Sequence, residues 1–241
     1  MDKKRRILIL GDSHTRGLRK ALAVRTSHSS TTEFEIHWLL SEKVGQSRGN
    51  LRIEDALTKI SGLGPNDILG ISVLGTAHNI FGLLQHEQPF DFALTPTGFA
   101  YQGGASVIPH RVISDTFEDS MRRNKYVKGF CETARCKVCH LAPPPPKGDN
   151  DFVLEHAKTY RGMSAAETGI TPAWLRLKLW ELEMLVLQSV CKDWNMQFFN
   201  APEQSRTVDG FLKPEFYGKD ATHANIPYGE LMLTELENHV W

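Results

Sequence analysis

Ser13 stands in Gly11-Asp12-Ser13-His14-Thr15, directly after the apolar run Ile7-Leu8-Ile9-Leu10. A short continuous apolar run reads as a buried parallel strand. The hydroxyl therefore falls at the carboxyl end of that strand, where open α/β sheets bind their ligands. Far along the chain lies Asp220-Ala221-Thr222-His223, its only Asp-x-x-His. A nucleophilic serine needs a base, and the base needs an orienting carboxylate. A spacing of three lets one loop present both. The segment around Ser13, taken alone, reads equally as a nucleophile, a helix cap or an anion cradle at a helix N-terminus. It lacks the last glycine of a Gly-x-Ser-x-Gly elbow, because Thr15 takes that place.

Two further segments hold groups suited to an oxyanion. Gly75-Thr76-Ala77-His78-Asn79 follows a strand, and the Asn79 amide there can donate, or can cap a helix. Gly45 follows another strand, where a glycine lets its N–H approach a substrate closely, or simply makes a turn. Cys136-Lys137-Val138-Cys139-His140 matches the c-type haem attachment pattern, and Cys131 adds a candidate zinc ligand. The same run reads better as a strand with Cys136, Val138 and His140 on one face, so neither metal nor haem is expected. His78, His110, His140 and His156 are scattered, with no His-Glu-x-x-His among them. Trp174, Trp180 and Trp194 read as core packing.

These groups need a frame. Strands are expected at 5–10, 34–39, 67–74, 136–141 and 196–199, and helices at 15–24, 51–60, 172–193 and 228–237. Residues 45–50 read as a polar, glycine-bearing loop. Leu175, Leu179, Leu182, Val186 and Val190 give the long helix a core stripe. Pro143 to Pro146 stop the fourth strand in an extended backbone. Residues 85–133, broken by Pro and Gly, read as an irregular insertion with a hairpin near 99–108, a lid or substrate wall. Residues 147–171 read as a second, polar insertion. Strands alternating with helices imply a parallel sheet covered on both faces.

Composition fits one domain over 1–241 carrying those two insertions. The 241 residues are 41% hydrophobic and 23% charged, with 28 basic and 28 acidic residues. That balance argues against a general affinity for nucleic acid. The basic run Lys3-Lys4-Arg5-Arg6 reads as the solvated lead-in to the first strand. The apolar run after it is too short for a signal peptide, and no stretch approaches a membrane span. A cytoplasmic protein without membrane partners is expected. Four cysteines are too few and too clustered for a disulfide scaffold.

The order of blocks resembles the SGNH (GDSL-type) hydrolases. Gly-Asp-Ser lies near residue 10, a glycine follows the second strand, Gly and Asn follow the third, and Asp-x-x-His lies near the end. The resemblance spans the chain through some 15 positions. It implies a flavodoxin-like three-layer α/β/α sandwich with five parallel strands. It implies Ser13 as nucleophile, His223 as general base and Asp220 as its partner. The oxyanion donors implied are the Ser13 N–H, the Gly45 N–H and the Asn79 amide. Two departures stand out. The third block is usually Gly-x-Asn-Asp, whereas Asn79 comes two residues late and Thr76 competes with it; in the second block Gly49 competes with Gly45. His14, where the family often has Leu, lines the mouth of the site. The implied activity is hydrolysis of a small acyl or glycan ester with no cofactor. Transfer of the acyl group to a sugar hydroxyl and a non-catalytic binding protein on the same fold are the alternatives. Oligomeric state is not legible.

Overall fold

Ile7 to Leu10 are all essentially buried because the strand they form lies in the middle of a sheet covered on both faces. The computed structural model describes residues 4–25, 31–43, 46–95, 104–157, 159–160 and 162–239. Its central sheet has five strands: β1 (Arg5–Gly11), β2 (Thr32–Trp38), β3 (Ile68–Ser72), β4 (Lys137–Leu141) and β5 (Gln197–Phe199). Their spatial order is β5-β4-β3-β1-β2, and all four pairings are parallel. Read from the other edge this is 2-1-3-4-5, the flavodoxin-like order, with its switch point between β1 and β3.

Alternation along the strands divides the core. Ile7 and Ile9 of β1, with Ile68, Cys139, Leu141 and Phe199, face α1 (Thr15–Val24) and the last helix, Ile226–Asn238. Leu8 and Leu10, with Leu69, Ile71 and Val138, face α2 (Ile53–Ser61), α4 (His110–Arg122), α5 (Lys125–Thr133) and α8 (Ala173–Asp193). Between them in the chain lie the short α3 (Ala77–Gly82), α6 (Asn150–Ala157) and α7 (Ala165–Thr168), and Ile226–Asn238 is α9. Among the described residues no helix is long and apolar enough to cross a membrane.

The expected strands and four helices are present, with ends moved by one to two residues. The segment 85–133 departs from expectation in its second half, which is two packed helices. Ile113, Phe117 and Met121 on α4, and Val127 and Phe130 on α5, are buried, with α4 packed on α8 and α5 on α2. The prolines of that segment and all its glycines but Gly129 precede His110, and Asn124 caps α5 by accepting from the Tyr126 and Val127 N–H groups. The hairpin expected near 99–108 falls largely on 96–103, which lie outside the described residues; Ser106–Val107 pairs in parallel with Phe90–Asp91. The loop expected at 45–50 is in part a small hairpin, Ser41–Lys43 against Gln46–Arg48.

Residues 147–171 are likewise structured, with α6, α7 and an antiparallel pair of two-residue strands. Val153, Ala157 and Ala165 there share a small apolar cluster with Leu83, Leu84 and Ala221. On α8 the buried surface goes beyond the expected stripe. Trp180, Met184, Leu187 and Cys191 are buried with Leu175, Leu179, Leu182 and Val190, while Val186 is half-buried.

Candidate active site

The turn after β1 is fixed by its backbone. A methyl group at Gly11 would meet the Thr15 methyl at 2.4 Å and the Ser72 carbonyl oxygen at 2.5 Å, so only glycine fits between β1, β3 and the first turn of α1. The Asp12 N–H donates to the Ser72 carbonyl at 3.0 Å, and the Thr15 hydroxyl donates to the Asp12 carbonyl at 2.7 Å. The Asp12 carboxyl accepts from the His14 N–H at 3.0 Å, closing a local turn around Ser13. Burial, acting against hydrogen bonds from that turn and the His223 charge, pushes the Asp12 carboxyl up to about 6.

Ser13 does not cap α1. Helix α1 begins at Thr15 with no side-chain cap. The Ser13 hydroxyl instead lies 2.8 Å from His223 Nε2. On its other side, His223 Nδ1 is 2.9 Å and 3.0 Å from the two Asp220 carboxylate oxygens. The tautomer with hydrogen on Nδ1 donates to the carboxylate and leaves Nε2 to accept from the serine hydroxyl. One Asp220 oxygen also accepts from the backbone N–H groups of His223 (2.8 Å) and Thr222 (3.0 Å). Partial burial raises the Asp220 pKa, but the His223 ring and these N–H groups outweigh it and hold the carboxyl well below its usual range.

The loop carrying Asp220 and His223 is tied down from beneath. Lys147, 2% exposed, emerges just after the four prolines that follow β4. Its ammonium donates to the Gly218 carbonyl at 2.9 Å and to the Asp220 carbonyl. It sits against the rings of Phe152 (4.5 Å) and Tyr217 (5.0 Å). Burial lowers its pKa to about 8. Buried Arg176 of α8 in turn donates to the Lys147 carbonyl at 2.8 Å. Neither residue carried a sequence signal, because a lysine in a polar stretch reads as solvated.

A second acid–imidazole pair stands behind the site. Glu183 and His78 are 1% and 3% exposed, and His78 Nδ1 lies 2.7 Å from the Glu183 carboxylate. The same carboxylate accepts from the backbone N–H groups of Ala77 (2.9 Å) and His78 (2.8 Å), the first residues of α3. Glu183 lies four residues from both Leu179 and Leu187 on the core stripe. A carboxylate there demands a buried partner, and that is the signal that points to it.

The remaining expected residues fall as follows. Gly45 lies outside the described residues. Gly49 has φ +119°, and a side chain there would meet the Leu39 carbonyl at 2.5 Å, so its glycine serves a tight turn. Asn79 is half-buried on α3, beyond Gly75 (φ +87°) and Thr76. Cys136 precedes β4 and packs with the core on one side of the sheet, whereas Cys139 of β4 is buried in the cluster on the other. His140 Nε2 accepts from the Leu74 N–H at 3.2 Å. His110 donates to the Ala93 carbonyl (3.0 Å), and His156 donates to the Phe152 carbonyl (2.8 Å). Among the described residues no three His, Cys, Asp or Glu side chains are placed to hold a metal ion. Trp180 is buried, and its indole N–H donates to the Pro143 carbonyl at 3.3 Å.

An open cleft of about 480 Å³ is lined by Ser13, His14, Asp220 and His223. A second, of about 760 Å³, opens on the other side of Asp12 between Trp38, Val73 and Tyr126.

No protein-family model and no curated protein sequence matches the chain. Solved structures do. A carbohydrate acetylesterase family member from Sinorhizobium meliloti matches at 11% identity, with 97% of this chain and 95% of that chain covered and a TM-score of 0.48. The periplasmic domain of a Salmonella Paratyphi A lipopolysaccharide acetyltransferase matches at 12%, covering 99% and 84%, TM-score 0.49. A GDSL-like lipase from Bacteroides thetaiotaomicron matches at 13%, covering 97% and 86%, TM-score 0.44. At such identities and scores these are likenesses only, and the chemistry of the site rests on its own geometry.

Proposed function

We propose that the chain is a serine esterase of the SGNH (GDSL) type, cleaving a small acyl ester through an acyl-serine intermediate. One observation carries this reading: the Ser13 hydroxyl is 2.8 Å from His223 Nε2 while Nδ1 of the same ring rests on Asp220. A cap or a plain anion cradle has no use for a carboxylate-oriented imidazole on the serine.

In this mechanism His223 Nε2 takes the Ser13 proton as the oxygen attacks the ester carbonyl. Asp220 holds the ring and stabilises the imidazolium that forms. The family resemblance assigns the tetrahedral oxyanion to the Ser13 N–H, the Gly45 N–H and the Asn79 amide, and one such donor contributes about 3 kcal/mol. His223 then returns its proton to the leaving alcohol oxygen. Water, deprotonated by the same nitrogen, then adds to the acyl carbonyl; the bond to the Ser13 oxygen breaks, the acid leaves, and His223 returns the proton to that oxygen. No metal or organic cofactor enters any step.

A fluorophosphonate probe tests the reading. Labelling of the wild type that is lost in Ser13→Ala and His223→Ala, together with turnover of 4-nitrophenyl acetate, is the expected result. A folded protein that neither labels nor turns over short esters would leave a binding protein on this fold as the better description.

A further inference from the structure

The cleft at Ser13 and His223 carries an uneven charge. Arg16 and Lys20 line it from α1 and Lys219 from the loop before Asp220, and Asp220 is the only carboxylate among its lining residues. The chain as a whole has 28 basic and 28 acidic residues, so a basic composition does not account for this. Arg16 and Lys20 are four apart on α1 and project from one face, where like charges repel. Among the described residues none of the three cations makes an ion pair. Each acid of α9 that pairs with Arg, Glu230 and Glu237, is taken by Arg25. The Arg16 guanidinium rests 5.5 Å over the Trp38 ring, which lines the second cleft, so Arg16 stands at the border of the two while Lys20 and Lys219 belong to the His223 cleft alone.

Chemistry decides which part of a substrate meets these cations. The proton that His223 takes from Ser13 is returned to the departing alcohol oxygen, so the alcohol part must lie on the His223 side of Ser13. That side is the cleft of Arg16, Lys20 and Lys219. We infer that the alcohol part of the substrate carries an anionic group, a phosphate or a carboxylate, which these three side chains receive. The inference rests on the esterase reading of Ser13 and His223 and adds the class of ester to it.

Two acetate esters test it with the full chain: neutral 4-nitrophenyl acetate, and 3-acetoxy-4-nitrobenzoate, whose leaving alcohol bears a carboxylate. With each rate divided by that ester's own alkaline hydrolysis rate, kcat/KM should favour the anionic ester by about 10-fold, mainly through KM. The preference should shrink as salt rises, because exposed charges are screened. In Arg16→Ser/Lys20→Ser/Lys219→Ser the ratio should fall toward one. A wild-type ratio near one that is indifferent to salt overturns the inference. If neither ester is turned over, the esterase reading has failed, and the charge assignment is then decided by calorimetry on Ser13→Ala. Binding of glucose 6-phosphate or glucuronate that is lost in the triple variant supports it; binding of neither overturns it. The tighter of the two ligands tells a phosphate source from a carboxylate source.

Discussion

The His14 ring packs against the His223 ring, with centroids 4.6 Å apart and planes tilted by 39°. Two imidazoles this close resist both carrying a proton. Burial, then the charges of His223 and His78, push the His14 pKa well below 6.5, so His14 stays neutral and the proton of the reaction goes to His223. His14 therefore acts as a neutral wall. His14→Phe should keep kcat on 4-nitrophenyl acetate within about threefold, since a flat ring is retained. His14→Lys places a cation beside the forming imidazolium, a repulsion of a few kcal/mol, so kcat should fall about 100-fold. Equal losses in the two variants would show that the imidazole itself, not its neutrality, is what the site requires.

Lys147 should prove to position the loop without touching substrate. Its ammonium satisfies the Gly218 and Asp220 carbonyls from below. Lys147→Met keeps the volume but leaves two half-buried acceptors without their donor, at a cost of about 1 kcal/mol. Melting temperature should drop, and kcat should fall at least tenfold with KM little changed, because the loop holds His223 and the cleft walls remain. Lys147→Arg should restore part of kcat. A variant that melts lower but keeps full kcat would reduce Lys147 to a structural residue.

Much of this molecule was legible in its residues, for reasons that differ by element. The five strands showed because buried parallel strands are short apolar runs between Gly or Pro stops. Ser13, Asp220 and His223 were legible because they sit at strand and loop ends with types that belong together. Helices α4 and α5 were not, because the breakers before His110 masked the Ile113, Phe117 and Met121 line. Lys147 and Arg176 were invisible for another reason: their burial depends on carbonyls contributed by distant loops, and no local pattern announces that. Glu183 went unnamed although a charge on an apolar stripe demands a buried partner, and that partner, His78, was named only as a scattered histidine.

Acid should expose the Asp220–His223 coupling. Burial works to raise the Asp220 pKa, and the hydrogen bonds and charge of His223 more than reverse it, so the folded value lies below the ordinary 3.8. A depressed carboxyl contributes stability that is complete above its unfolded pKa and is lost as pH falls through its folded one. Wild-type unfolding free energy should therefore decline below about pH 4 more steeply than that of Asp220→Asn, measured by urea denaturation across the acid range. Parallel curves for the two proteins would mean the carboxylate gains nothing from its neighbours.

Glu183 narrows the choice of oxyanion donors beside β3. Its carboxylate already accepts from the Ala77 and His78 N–H groups and pairs with the His78 ring, so these cannot also serve a substrate. The groups left on that side are the Asn79 amide, which the family resemblance favours, and Thr76, which precedes it. If the amide faces the developing charge, Asn79→Ala should lower kcat about 100-fold while KM stays nearly constant, the mark of an interaction made only in the transition state. Thr76→Val should then change little. The reverse pattern would transfer the role to Thr76. Full activity in both variants would leave the charge to backbone N–H groups, a sufficient arrangement only if the Ser13 N–H and the second-block glycine supply it alone.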